Sequence, residues 1–148
     1  MLHQQLHKDL ISALKEKREF ELSVLRMLSA ALKNKEIEKR TSGEVSMLTE
    51  QDVIDVLTRE AKKRREAAAL FITGSRVDLA DKERREVEII QKYLPAQLSA
   101  EEIETVVKKV IEGGAKDFAS AMRAAMAELK GKADGKAVGD AVKKLLAK

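Results

Sequence analysis

The chain has 148 residues, a net charge of +4 and no cysteine. Hydrophobic residues make up 44% of it and charged residues 36%, which is too apolar for a disordered chain and too charged for a membrane protein. The lack of cysteine excludes a disulfide framework and a thiolate nucleophile. One proline and seven glycines argue against a β-sandwich with many turns.

Four long helices are predicted first, because apolar residues recur at helical spacing. Leucines at every fourth position from Leu2 to Leu14 indicate the first helix, and the second is expected at about 19–39. After a loop at 41–46, Thr49 is the predicted N-cap of the third helix. The fourth helix should run from about residue 78 to Pro95, which cannot continue it.

Three shorter helices with clear start signals are predicted after that proline. Ser99 and Glu102 form a capping box, and Asp117 and Asp134 are expected to cap the last two helices. Gly131 should end the sixth helix in a left-handed conformation.

The predicted fold class is therefore all-α, with four longer helices followed by a small three-helix unit. We expect the boundary at Pro95–Leu98, between an N-terminal helical unit at 1–94 and a C-terminal unit at 95–148. At about 50 residues the second unit is marginal for folding alone.

No catalytic residue, metal ligand or cofactor site is predicted. His3 and His7 share a helix face, but no glutamate stands between them, so two exposed side chains are favoured over a metal site. Carboxylates such as Glu86 are expected on solvated helix faces among basic residues. No phosphate-binding glycine motif follows a strand.

Two basic segments remain. The third helix has four consecutive basic residues at 62–65, which cannot all share one face. Arg59, Lys62 and Lys63 can share a face, which is either a solvated face or a secondary nucleic-acid site. The segment 130–148 has six lysines and two aspartates, so its net charge of +4 equals the net charge of the whole chain.

The turn at 130–136 places three lysines around a helix N-terminus. This arrangement is either a binding site for a phosphate group or an ordinary capped turn between two helices. The four aromatic rings fit apolar stripes or helix ends, which argues against base readout. If the chain binds nucleic acid, it should therefore contact the backbone, and salt should weaken the binding. The candidate RNA-binding residues are Lys130, Gly131, Lys132, Gly135, Lys136, Lys143 and Lys144.

The two most specific motifs of the sequence are Tyr93-Leu94-Pro95-Ala96-Gln97-Leu98-Ser99 and Lys130-Gly131-Lys132-Ala133-Asp134-Gly135-Lys136. Together they resemble the YqeY family, the stand-alone relatives of the tail domain of the GatB subunit of tRNA-dependent glutamine amidotransferase. The resemblance implies an RNA-contacting appendage without the enzyme. A family label of carbon–nitrogen ligase with glutamine as amido donor would be inherited from the larger enzyme.

The expected function is that of a cytosolic accessory protein that binds tRNA or another structured RNA, with no membrane partner. The N-terminal residues 1–8 lack the apolar core of a signal peptide, which is the basis of the cytoplasmic expectation. Two alternatives stay open. The first is a protein-interaction adaptor without an RNA role, and the second is a component that acts with an amidotransferase or another translation protein.

Overall fold

The computed structural model describes residues 1–44 and 47–147. Those residues form seven helices and no strand, which confirms the all-α prediction. Val45 and Ser46 of the predicted loop, and Lys148 of the basic tail, lie outside the described residues. The helices are α1 (Leu2–Lys15), α2 (Glu19–Thr41), α3 (Glu50–Thr73), α4 (Val77–Gln91), α5 (Ala100–Glu112), α6 (Phe118–Leu129) and α7 (Gly135–Leu146).

The chain divides into two compact units, residues 1–94 and 95–148. The first unit holds α1–α4 around a leucine-rich core, because the apolar stripes of its helices face one another. Burying one such leucine contributes about 1.5–3 kcal/mol. The fully buried leucines of this core are Leu6, Leu25, Leu28, Leu32 and Leu57.

Polar contacts fix the start of α3 in the first unit. The Thr49 hydroxyl accepts the backbone N–H of Asp52, and the Asp52 carboxylate accepts the N–H of Thr49 at 2.8 Å. The ammonium of Lys39, near the end of α2, contacts the same carboxylate at 2.7 Å. From this start α3 runs to the turn at 74–76 and pairs with α4 as a helical hairpin.

The fourth helix ends earlier than the sequence predicted, at Gln91. The N–H groups of Tyr93 and Leu94 bond to carbonyls three residues back, because the residue before a proline avoids the α conformation. The Tyr93 ring is buried, and its hydroxyl donates to Asp9 of α1. Burial and this hydrogen bond raise the pKa of Tyr93 above its ordinary value.

The second unit packs α5–α7 around its own core, and every helix start in it is capped as predicted. Ser99 and Glu102 form the capping box, Asp117 accepts the N–H of Ser120 at 2.9 Å, and Asp134 caps α7. The largest fully buried side chains of this core are Val107, Leu129, Val138 and Val142.

Candidate nucleic-acid interface

The predicted lysine turn connects α6 to α7 in the C-terminal unit. We call residues 130–136 the lysine turn. Lys130 follows the last residue of α6, and Gly131 takes a φ of +79°, a conformation that costs most residues with a side chain about 1–2 kcal/mol. The side chains of Lys130, Lys132 and Lys136 are exposed. The turn therefore offers three ammonium groups within seven residues.

The helix N-terminus beside the turn already carries a carboxylate. The Asp134 carboxylate accepts the backbone N–H of Lys136 at a long 3.4 Å. Gly135 begins α7, and a methyl group placed on it would meet no atom within 4 Å. A phosphate could approach Gly135 without steric hindrance, but Asp134 would repel it, so attraction has to come from the lysine side chains.

Residues from the other family-like motif hold the lysine turn in place. The side-chain amide of Gln97 donates to the carbonyl of Gly131 at 3.0 Å and to that of Pro95 at 3.2 Å. The backbone N–H of Leu98 donates to the carbonyl of Lys132 at 2.9 Å. The two motifs that looked most distinctive in the sequence are thus joined by hydrogen bonds. Sequence reasoning missed Gln97, because no local pattern reports a pairing across 34 residues.

The remaining candidate lysines lie at the other end of α7. Lys144 contacts a carboxylate oxygen of Glu104 on α5 at 2.7 Å, which offsets its charge locally. The Lys143 ammonium lies 5.8 Å from the centre of the Phe118 ring. Seven to eight residues of helix, about 10–12 Å, separate these two lysines from Lys136. The seven candidates therefore form two groups instead of one cluster.

On α3, the secondary basic candidates Arg59, Lys62 and Lys63 are exposed. Their neighbour Arg64 is 7% exposed and belongs to the interior instead. Its guanidinium contacts Glu86 of α4 at 2.8 Å. The expectation that Glu86 lies on a solvated face was wrong, since only 6% of that residue is exposed.

The Arg64 guanidinium stays charged inside the first unit. Burial disfavours that charge, but hydrogen bonds to Glu60 and Glu86 outweigh burial and raise the pKa of Arg64. The contact with Glu60, one turn earlier on α3, measures 2.6 Å. Because all three groups are paired, this cluster serves to join α3 to α4 and offers no acid or base for catalysis.

His3 and His7 are both exposed on the outer face of α1. Within residues 1–44 and 47–147, no group of three or more His, Cys, Asp or Glu side chains is placed to hold a metal ion. Over the same residues, no helix combines the length and the apolar character needed to cross a bilayer.

An all-helical chain with two compact units defines a structural class but not an activity. Residues 3–146 match the family model described as Yqey-like protein. The chain belongs to the YqeY family, as its motifs had indicated.

The curated relatives include fungal proteins. The chain is 33% identical over 103 residues to altered inheritance of mitochondria protein 41, mitochondrial, of Candida glabrata, a match covering 68% of this chain and 54% of that protein. The match thus spans about half of the length of that relative. The Saccharomyces cerevisiae (strain YJM789) protein of the same name is 29% identical over 135 residues, covering 90% of this chain and 70% of its own. An uncharacterized Schizosaccharomyces pombe protein is 29% identical over 94 residues, covering 64% and 72%.

Proposed function

We propose that this YqeY-family chain binds tRNA or a similarly structured RNA through the lysine turn, as an accessory protein without chemistry of its own. The observation that carries the proposal is the anchored turn. Three exposed lysines project from a backbone that Gln97 and Leu98 hold by hydrogen bonds. A fixed backbone lowers the conformational entropy lost when the side chains meet phosphates.

The expected mode of binding is contact with the phosphate backbone. Each phosphate that a lysine neutralises releases a counterion, so the logarithm of affinity falls with the logarithm of salt by about 0.7–0.9 per contact. Such contacts position an RNA without reading its sequence. This mode agrees with a family resemblance to an RNA-contacting appendage of the amidotransferase.

The test replaces Lys130, Lys132 and Lys136 together by glutamine and measures the affinity for bulk tRNA across a salt series. The triple variant should bind more weakly at low salt, and its salt slope should be smaller by about two to three units. Preference among RNA sequences should not change, because no base contact is lost.

The matched control removes three exposed charges from the other unit, by replacing Arg59, Lys62 and Lys63 with glutamine. Arg64 is left intact, because its loss would break a buried ion pair. If the control loses binding while the turn variant does not, the RNA surface lies on α3 and the site proposal is wrong. If the wild type shows no salt-dependent RNA binding, the interaction-adaptor function replaces the proposal.

The proposal also includes the cytoplasmic localisation expected from the sequence. The yeast relatives are named mitochondrial, so the mitochondrion is the alternative compartment for this chain. Fractionation of cells that express the tagged chain should recover it with cytosolic tRNA. Recovery in an organelle fraction would contradict the localisation but not the RNA binding.

A further inference from the structure

The most exposed aromatic ring lies on the basic C-terminal unit. All four aromatic side chains are within the described residues. Phe20 and Phe71 are half-buried, Tyr93 is 8% exposed, and Phe118 is 44% exposed. Phe118 begins α6, just after the cap Asp117, and is not among the residues that pack on the core of its unit. The sequence had suggested that every ring fits an apolar stripe or a helix end, and for Phe118 the helix end leaves the ring open to solvent.

Two residues of α7, a lysine and a glycine, lie beside this ring. The Lys143 ammonium lies 5.8 Å from the ring centre. Gly139, one turn earlier, stands so close that a methyl group added to it would come within 4.0 Å of the Phe118 ring. Because Gly139 has no side chain, nothing from that position shields the ring.

A second lysine lies along the same side of α7. Lys136 precedes Lys143 by seven residues, or almost two full turns, so both project in about the same direction some 10 Å apart. Lys136 also belongs to the lysine turn. Lys136 and Lys143 therefore place two positive charges between the proposed phosphate-binding turn and the exposed ring, with the exposed carboxylate of Asp140 between them along α7.

We propose that Phe118 is a stacking platform for an unpaired base of the bound RNA, with Lys136 and Lys143 neutralising the phosphates beside that base. This inference rests on the proposed function and narrows its ligand to RNA with a single-stranded segment. Base–aromatic stacking beside a basic groove is the common arrangement of single-strand binding, and it tolerates any base. A protein ligand is less well matched, because the charged group beside the ring is the Lys143 ammonium, and a single exposed ring is not a broad apolar surface.

The first test compares two RNA probes on wild type and Phe118→Leu. One probe is a blunt hairpin, and the other is the same hairpin with a 3′ overhang of about four nucleotides. Leucine keeps apolar bulk but cannot stack, so affinity for the overhang probe should fall at least about fivefold, while the blunt hairpin should bind as before. Unchanged thermal unfolding, followed by circular dichroism, verifies that the variant is folded.

The second test uses the fact that the chain has no tryptophan. Phe118→Trp introduces a single fluorophore, and its emission should be quenched by the overhang probe and hardly affected by the blunt hairpin. Phe71→Trp, on α3 of the other unit, is the matched control and should respond to neither probe.

The outcomes separate this inference from the proposed function. If the wild type binds both probes with the expected salt dependence, but Phe118→Leu changes neither affinity and Phe118→Trp is not quenched, the stacking platform is refuted and the lysine turn stands. If the wild type binds neither probe, both proposals fail. If the emission of Phe118→Trp shifts to the blue with RNA-free cell protein and neither RNA quenches it, protein docking replaces base stacking.

Discussion

The buried pair of Arg64 and Glu86 should make removal of one partner far more costly than removal of both. The substitution is Arg64→Met, which keeps the apolar stem and deletes the guanidinium. Glu60 is partly solvated, with 20% of its side chain exposed, and water can compensate for its lost contact. The Glu86 side chain is only 8% exposed, so its carboxylate is left buried and unpaired. The unpaired Glu86 therefore dominates the expected loss.

Breaking one side of such a pair costs about 3–5 kcal/mol. The variant Arg64→Met should lose that amount of unfolding free energy from the first unit. Glu86→Gln should lose less, about 1–3 kcal/mol, because Arg64 retains Glu60 and the amide can still accept a hydrogen bond. The double variant Arg64→Met with Glu86→Leu should be close to the wild type, since apolar residues of similar size often replace buried ion pairs without loss.

Urea unfolding followed by helical circular dichroism provides the measurement. With a slope of about 1–3 kcal/mol per M, the loss in Arg64→Met lowers the midpoint by roughly 2 M, and the double variant restores most of it. Arg65→Met is the matched control at the next, half-exposed position, where a change within about 0.5 kcal/mol is expected. If Arg64→Met is neutral, or if the double variant is as unstable as the single one, an unpaired buried carboxylate on Glu86 is not the cause of the lost stability.

Three further outcomes are expected. Asp52 has its pKa lowered to about 2 by the hydrogen bond from Lys39 and then by the helix cap, so its ionised form stabilises the fold. The stability difference between wild type and Asp52→Asn should be about 1–2 kcal/mol at neutral pH and should decline as the pH falls from about 4 to 2. Urea unfolding at each pH measures this difference, and a difference that grows in acid would contradict the prediction. Gly131→Ala should destabilise the second unit by about 1–2 kcal/mol because of the positive φ, seen as a lower thermal midpoint, and an unchanged midpoint would refute the strain. Replacing His3 and His7 with glutamine should leave stability and metal content unchanged, and a zinc ion lost from that variant on elemental analysis would show that α1 holds a metal.

The features that could be predicted from sequence are those determined within a few residues. The caps Ser99, Asp117 and Asp134 each satisfy an N–H group two or three positions away, so their spacing reveals them. The left-handed Gly131 follows from the same local logic. Helix periods give the all-α class for the same reason, because each stripe reports which face is buried.

The features that were missed depend on contacts between distant positions. Arg64 and Glu86 are 22 residues apart, and each looks like a surface residue until α3 and α4 pair. The exposure of Phe118 depends on α7, whose Gly139 and Lys143 stand beside the ring. Periodicity identifies the faces of single helices, but it does not say which faces meet.

The hydrogen bonds of Gln97 and Leu98 have a consequence for anyone who cuts or transplants this protein. A C-terminal fragment starting at the helix cap Ser99 would look complete by secondary structure, yet it would deprive the carbonyls of Gly131 and Lys132 of their donors. Without residues 95–98, which precede α5, the lysine turn would lose its conformation. A C-terminal fragment should therefore start at or before Pro95. Transfer of the lysine turn to another protein requires other hydrogen-bond donors for these two carbonyls.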